Sequence, residues 1–260
     1  LPFVWLRQSE IERELAKGYT AGQLELRAQN DAALMEQMNV YIGFSAPENN
    51  AEMSDAAPEM MSLYSSLYGN QVHGKIRVPR TRWCVLRHPT PGFAQAAGMS
   101  TEAFEDFFFD VCTMDYSKMD RAMDPLKALM DNTEQVRIKG VGTDLTFSLK
   151  GMKAIKCAGE CNIPDGEVYT APVRDSVNGV ITYNTPSTQS GFTFENVCLT
   201  FENGKIVKAT ANDTERVNKV FDIDEGARYV GEFAIGVNPY VTKAMNNILF
   251  DEKIMGSFHF

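Results

Sequence analysis

The sequence predicts an α/β half followed by an α+β half. The first, over residues 1–114, reads as a partial Rossmann-like domain; the second, over residues 115–260, reads as mainly β with a few helices. Two observations carry this. Strand-like and helix-like segments alternate up to about residue 114, the pattern of β-α units on a parallel sheet. From about residue 115 the texture changes to short apolar-alternating segments joined by tight turns, as antiparallel strands require.

In the first half, Pro2 to Leu6 and Val40 to Phe44 are apolar runs of strand length. Between them, Glu10 to Lys17 is rich in helix formers and Gly18 is placed to cap its C-terminus. Leu24 to Met38 favours a longer helix. Pro58 suits a first helical position, and Met60, Leu63, Tyr64 and Leu67 follow at helical spacing before Gly69 closes the segment. Trp83 to Leu86 is a further strand. Ser100 caps a helix whose Phe104, Phe107, Phe108, Val111 and Cys112 line one face, an aromatic stripe that reads as core.

In the second half, Tyr116 to Met130 reads as one helix rich in Met and Leu. Leu145, Phe147 and Leu149 alternate with polar residues as in a half-buried strand. Phe192 and Phe194 keep one phase, and Val197, Leu199 and Phe201 keep the other, so a bulge is expected near Glu195. Asn203-Gly204 is a hairpin signal, because a type I′ turn needs positive φ at both central residues. Asn212 with Glu215 fits a capping box for the helix carrying Val217, Val220 and Phe221. Gly140 to Asp144 resembles a piece of a phosphate loop but lacks its lysine and third glycine, and reads as a tight turn.

With 44% hydrophobic and 23% charged residues, the composition is that of a globular protein. A net charge of −9 and scattered Lys and Arg argue against nucleic acid as a partner. No apolar run reaches the length of a membrane span. Five dispersed cysteines fit a reducing compartment, so the expected location is cytoplasmic. The start without Met and the stop inside the apolar tail Ser257 to Phe260 read as a fragment, cut at both ends.

Three acidic residues and one histidine stand in unusual company. Glu167 opens an apolar run inside Asn162 to Pro172, where Pro164, Gly166 and Pro172 restrict the backbone. Glu232 lies in Arg228 to Gly236 and, in a strand, shares a face with Val230 and Ala234. A lone ionised carboxylate there needs an Arg, a hydrogen-bond network or a cation. Glu252 and His259 follow in Phe250 to Phe260, with His259 between two phenylalanines. Carboxylates plus an imidazole suit hard or borderline divalent ions. Taken singly, each has a plainer reading: an ion-paired strand glutamate, or a satisfied core histidine. Cys157 and Cys161 read as small apolar residues. His73 and His88 carry no assignment. No Gly-x-Ser-x-Gly elbow is present.

At these residues the sequence closely resembles the metalloaminopeptidases of the aminopeptidase S and aminopeptidase T (thermophilic-type) family. The likeness runs from near Pro2 to Phe260. It is carried by Trp83 to Asp110 with its Pro89 to Ser100 run, by Gly142 to Leu145, by Asn162 to Pro172, by Gly231 to Asn238, and by Asp251-Glu252-Lys253 with His259. The resemblance implies a two-domain enzyme that removes N-terminal residues from peptides with a free N-terminus. It implies two divalent metal ions (zinc, cobalt, manganese or magnesium) and a homodimer when full length. Carried over, the metal ligands are Glu167, Glu232 and His259, and Glu252 matches a further acidic slot. As a Glu in an apolar strand with no cationic partner nearby in sequence, Glu232 is the expected bridging ligand, which lets it assist proton transfer. The family's additional His-x-Asp ligands and catalytic tyrosine fall beyond Phe260, so residues 1–260 alone are expected to bind metal poorly and to be inactive. The competing reading is a ligand-binding module whose acidic residues are structural.

Overall fold

The computed structural model describes residues 4, 6–189 and 191–260. The chain divides into two compact units, Leu1–Gly92 with Ser190–Phe192, and Phe93–Gln189 with Thr193–Phe260.

The first unit is helical: α1 (Ser9–Ala16), α2 (Ala21–Met35), α3 (Pro58–Tyr64), a π-helix over Ser65–Arg77 and the single turn α4 (Val78–Arg80), followed by the two-residue strand β1 (Val85–Leu86). Thr20 and Gln23 close a capping box on α2, each side chain taking a backbone N–H of the other's residue. The segment expected to close at Gly69 continues to Arg77 instead. Tyr68, Val72 and Ile76 pack against Ala28 and Met35 of α2, and that burial outweighs the roughly 1 kcal/mol that a helix-interior glycine costs. Val40 to Phe44, expected as a strand, forms none; Val40, Ile42 and Phe44 are all exposed. A strand persists only beside a partner that takes its backbone donors and acceptors. The strand expected over Pro2 to Leu6 falls largely outside the described residues. Mixed α/β is the description that holds for the chain.

The elements that follow are α5 (Pro91–Ala96), α6 (Thr101–Cys112), α7 (Tyr116–Ala122), α8 (Asp124–Asp131), β2 (Gln135–Gly140), β3 (Thr143–Ser148), β4 (Ile155–Cys157), β5 (Asn162–Ile163), β6 (Glu167–Thr170), β7 (Asn178–Thr182), β8 (Ser187–Gln189), β9 (Phe192–Phe194), β10 (Cys198–Glu202), β11 (Lys205–Thr210), α9 (Thr214–Phe221), β12 (Phe233–Gly236), α10 (Ile248–Asp251) and β13 (Phe258–His259). Two antiparallel sheets form the second unit's framework. One is five-stranded in the order β11-β10-β7-β3-β2, the other four-stranded in the order β13-β12-β6-β4. Phe147 of β3 meets Phe233 of β12 at 4.9 Å and Phe260 at 5.0 Å between ring centroids, which ties the sheets together.

The aromatic stripe on α6 is core, as its spacing predicts. Phe104, Phe107, Phe108, Val111 and Cys112 gather with Val241, Met245 and Phe250, and Phe250 sits 5.6 Å from the Phe107 ring. Ser100 caps α6 through the Ala103 N–H. Asn203 and Gly204 hold φ of 48° and 83°, the expected I′ hairpin between β10 and β11.

Three expectations shift by a residue or more. The Tyr116 to Met130 helix is broken at Met123, where Pro125 starts a new first turn. The bulge near Glu195 becomes a full break between β9 and β10, with Asn196 at φ 52°, and a register shift falls at Thr200/Phe201. The cap of α9 is Asp213, which accepts the Arg216 N–H. Asn212 instead accepts the N–H groups of Glu195 and Asp213.

Candidate metal centre

Strand β12 organises the site. Its Gly236 lies opposite Glu167 of β6, and its Ala234 lies opposite Tyr169 of β6 and His259 of β13. Side chains alternate along a strand, so Glu167 and His259 stand on the face that carries Ala234 and Gly236. Those two small residues let neighbouring chain lie close over β12, and the carboxylate and imidazole meet beside them. Glu232, just before β12, continues the same phase.

The meeting is close. His259 Nε2 is 3.1 Å from Glu167 Oε2 and 3.0 Å from Glu232 Oε1. One ligand atom from each of the three lies within 4.8 Å of the others. The hydrogen bond runs between His259 Nε2 and Glu232. Glu167 Oε2 is left buried and, among the described residues, without a hydrogen-bond partner, as is His259 Nδ1. Burial pushes the His259 imidazole down, but the Glu167 and Glu232 carboxylates beside it win, and its pKa is raised to about 9. Burial pushes the Glu167 carboxyl up, yet His259 and Lys253 hold it below its ordinary value. Glu232 is the open member, its side chain 43% exposed against 7% for Glu167.

Glu252 stands apart from this trio. Its Oε2 accepts from Lys253 Nζ at 2.9 Å, and Lys253 Nζ also donates to Glu167 Oε1 at 2.6 Å. Lys253 is fully buried. Sequence reasoning passed over it, as it passed over Asp165. The one available signal was a lysine set against the apolar pair Ile254-Met255, three residues after Phe250. Asp165 accepts the N–H groups of Gly159 and Gly166, and burial raises its pKa to about 6.

Cys157, Asp165 and Glu167 make a second close group. Lys253 Nζ lies 4.0 Å from Asp165 Oδ1 as well as against Glu167, so an ammonium already supplies the positive charge there. Burial pushes the Cys157 thiol up to about 12, which keeps it protonated at neutral pH.

A site of two carboxylates and an imidazole, with a buried carboxylate oxygen facing the other two and lacking a hydrogen bond, has the donor chemistry of a divalent-cation site. The family model described as Thermophilic metalloprotease (M29) matches residues 3–260. The chain belongs to the thermophilic metalloprotease (M29) family. It is 38% identical over 120 residues to Aminopeptidase AmpS of Bacillus subtilis (strain 168), a match that covers 42% of this chain and 29% of that protein. It is 27% identical over 259 residues to Aminopeptidase 2 of Geobacillus stearothermophilus, covering 87% and 62% respectively. The chain thus matches less than two thirds of the length of these relatives. The fold is similar to that of the solved wild-type AmpT from Thermus thermophilus, with a TM-score of 0.79 at 22% identity over 96% of this chain and 70% of that one. Among the described residues of this M29 chain, no helix is long and apolar enough to cross a membrane.

Proposed function

We propose that the protein carrying this chain is a metal-dependent aminopeptidase that removes N-terminal residues from peptides, working in the cytoplasm. The observation that carries the reading is the convergence of Glu167, Glu232 and His259 from three separate stretches of chain onto one small space. Family membership supports it, since relatives bear aminopeptidase names.

Glu167, Glu232 and His259 would hold the metal. Bound divalent ions would supply Lewis acidity, polarising the scissile carbonyl and making an attacking water more acidic. Glu167 contributes a buried, pre-oriented oxygen that solvent does not reach. His259 contributes an imidazole whose Nε2 already points between the carboxylates; its elevated proton affinity means that metal and proton compete for the same nitrogen. Glu232 is the more exposed carboxylate of the trio, so it is the residue placed to accept a proton from water and pass it to the leaving amine. The free α-amine of the substrate finds negative charge in the same group, which favours a peptide with an unblocked N-terminus. Dimer formation by the full-length protein is part of the same proposal.

The test uses the full-length protein and the substitution Glu232→Gln. Turnover of an unblocked peptide is expected to fall at least about 100-fold, the usual contribution of a positioned acid–base group. An N-acetylated peptide is expected to resist the parent enzyme. Unchanged turnover together with unchanged bound metal in the Gln variant would rule the assignment out.

A further inference from the structure

We propose that Lys253 is a positioning residue of the metal centre, its ammonium holding one oxygen of Glu167 so that the other is turned toward Glu232 and His259. The inference rests on the metal-dependent reading above and adds a residue to it.

Lysine is almost never fully buried unless paired. Lys253 is fully buried, and its Nζ stands 2.6 Å from Glu167 Oε1, 2.9 Å from Glu252 Oε2 and 4.0 Å from Asp165 Oδ1. An ammonium has three donors and no acceptor, so carboxylates on several sides suit it. A carboxylate is planar, and fixing Oε1 fixes Oε2. That second oxygen is the one 3.1 Å from His259, buried and without a hydrogen bond among the described residues.

The backbone around Lys253 is held as firmly as its side chain. Its N–H donates to Phe250 C=O at 2.9 Å, and its own C=O accepts from Asn238 N–H at 3.1 Å. Asn238 Nδ2 in turn donates to the Asp165 C=O at 2.7 Å. The turn carrying Lys253 lies so close over β12 that a Cβ at Gly236 would come within 2.4 Å of the Ile254 carbonyl oxygen. Ligand strand, small residue and lysine turn therefore form one packed unit.

Two effects of opposite sign meet at this lysine. Taking away a positive charge, by itself, favours binding of a cation nearby. Releasing Glu167 disfavours it, and loss of partners that orient a ligand typically weakens metal affinity about 10- to 100-fold. Orientation is expected to win because Glu167 Oε1 loses its close partner without the ammonium, and the carboxylate is then free to turn.

The experiment compares the full-length parent with Lys253→Met and Lys253→Gln, using Co²⁺ alone as the probe. Affinity is read by calorimetric titration and ligand geometry by the visible absorption of the bound cobalt. Cobalt binding about 10- to 100-fold weaker, with a shifted visible band in a folded variant, supports the proposal. Affinity within threefold of the parent, or tighter, with an unchanged band overturns it. Gln keeps a donor at shorter reach, so it reports if Met fails to fold; the same weakening supports and the same invariance overturns. A parent that binds no cobalt sinks the functional reading and this inference together, whereas a parent that binds while the variants match it sinks the inference alone.

Discussion

Glu167 does two jobs with its two oxygens. Oε1 answers a buried ammonium, and Oε2 faces an imidazole and a second carboxylate. A buried charge that loses its partner is costly, because desolvation is then no longer offset. Glu167→Gln is therefore expected to lower the unfolding free energy of the metal-free full-length protein by about 3 kcal/mol, read from urea denaturation. A loss well under 1 kcal/mol would mean that the Lys253 pair is weaker than its geometry implies. At this scale much of the site was legible. Glu167, Glu232 and His259 stood out as charged groups within apolar runs, and the structure brings all three together. Glu252 was legible only as an acidic position, because nothing in Asp251-Glu252-Lys253 says which carboxylate a neighbouring lysine will take. Lys253 was faint: its one signal was the apolar pair Ile254-Met255 beside it, and a lysine following Asp251-Glu252 normally signals a solvated surface.

The elements explain why these residues meet. Strand β12 carries Ala234 and Gly236 on one face, with Glu232 just before the strand, and the two strand residues are small enough for neighbours to come close. Gly236 is also where the backbone of residues 252–254 comes closest. Gly236→Ala is expected to cost about 1–3 kcal/mol by overpacking against that backbone and to weaken metal binding along with stability. Gly231→Ala, with open space around its Cβ, is the matched control, expected to stay within about 0.5 kcal/mol of the parent. Equal effects of the two substitutions would contradict the close approach. Phe250 ties the other end of the turn to the α6 stripe, with its ring 6.0 Å from Phe104 and 6.4 Å from Phe108. Phe250→Ala is expected to cost about 3–5 kcal/mol, measured by thermal or chemical unfolding. The stripe was readable from its spacing alone. The partner it packs against was not, since that contact joins residues well over a hundred positions apart.

Across the whole molecule, the β-rich half was the more legible. Period-2 alternation and the Asn203-Gly204 turn are local signals, and antiparallel hairpins are local structures. The first half misled because β-α alternation only nominates strands; Val40 to Phe44 has the composition of one but no neighbour to pair with among the described residues. The family resemblance tied the scattered site residues together where spacing could not. The central claim is that a divalent cation is neutralised by Glu167, Glu232 and His259 in the full-length protein. The most direct measurement is anomalous X-ray scattering from crystals loaded with Co²⁺ or Zn²⁺. The expected result is a peak within about 2.0–2.2 Å of an oxygen of each glutamate and of a His259 ring nitrogen. Density for metal elsewhere, with His259 still hydrogen-bonded to Glu232, would contradict it.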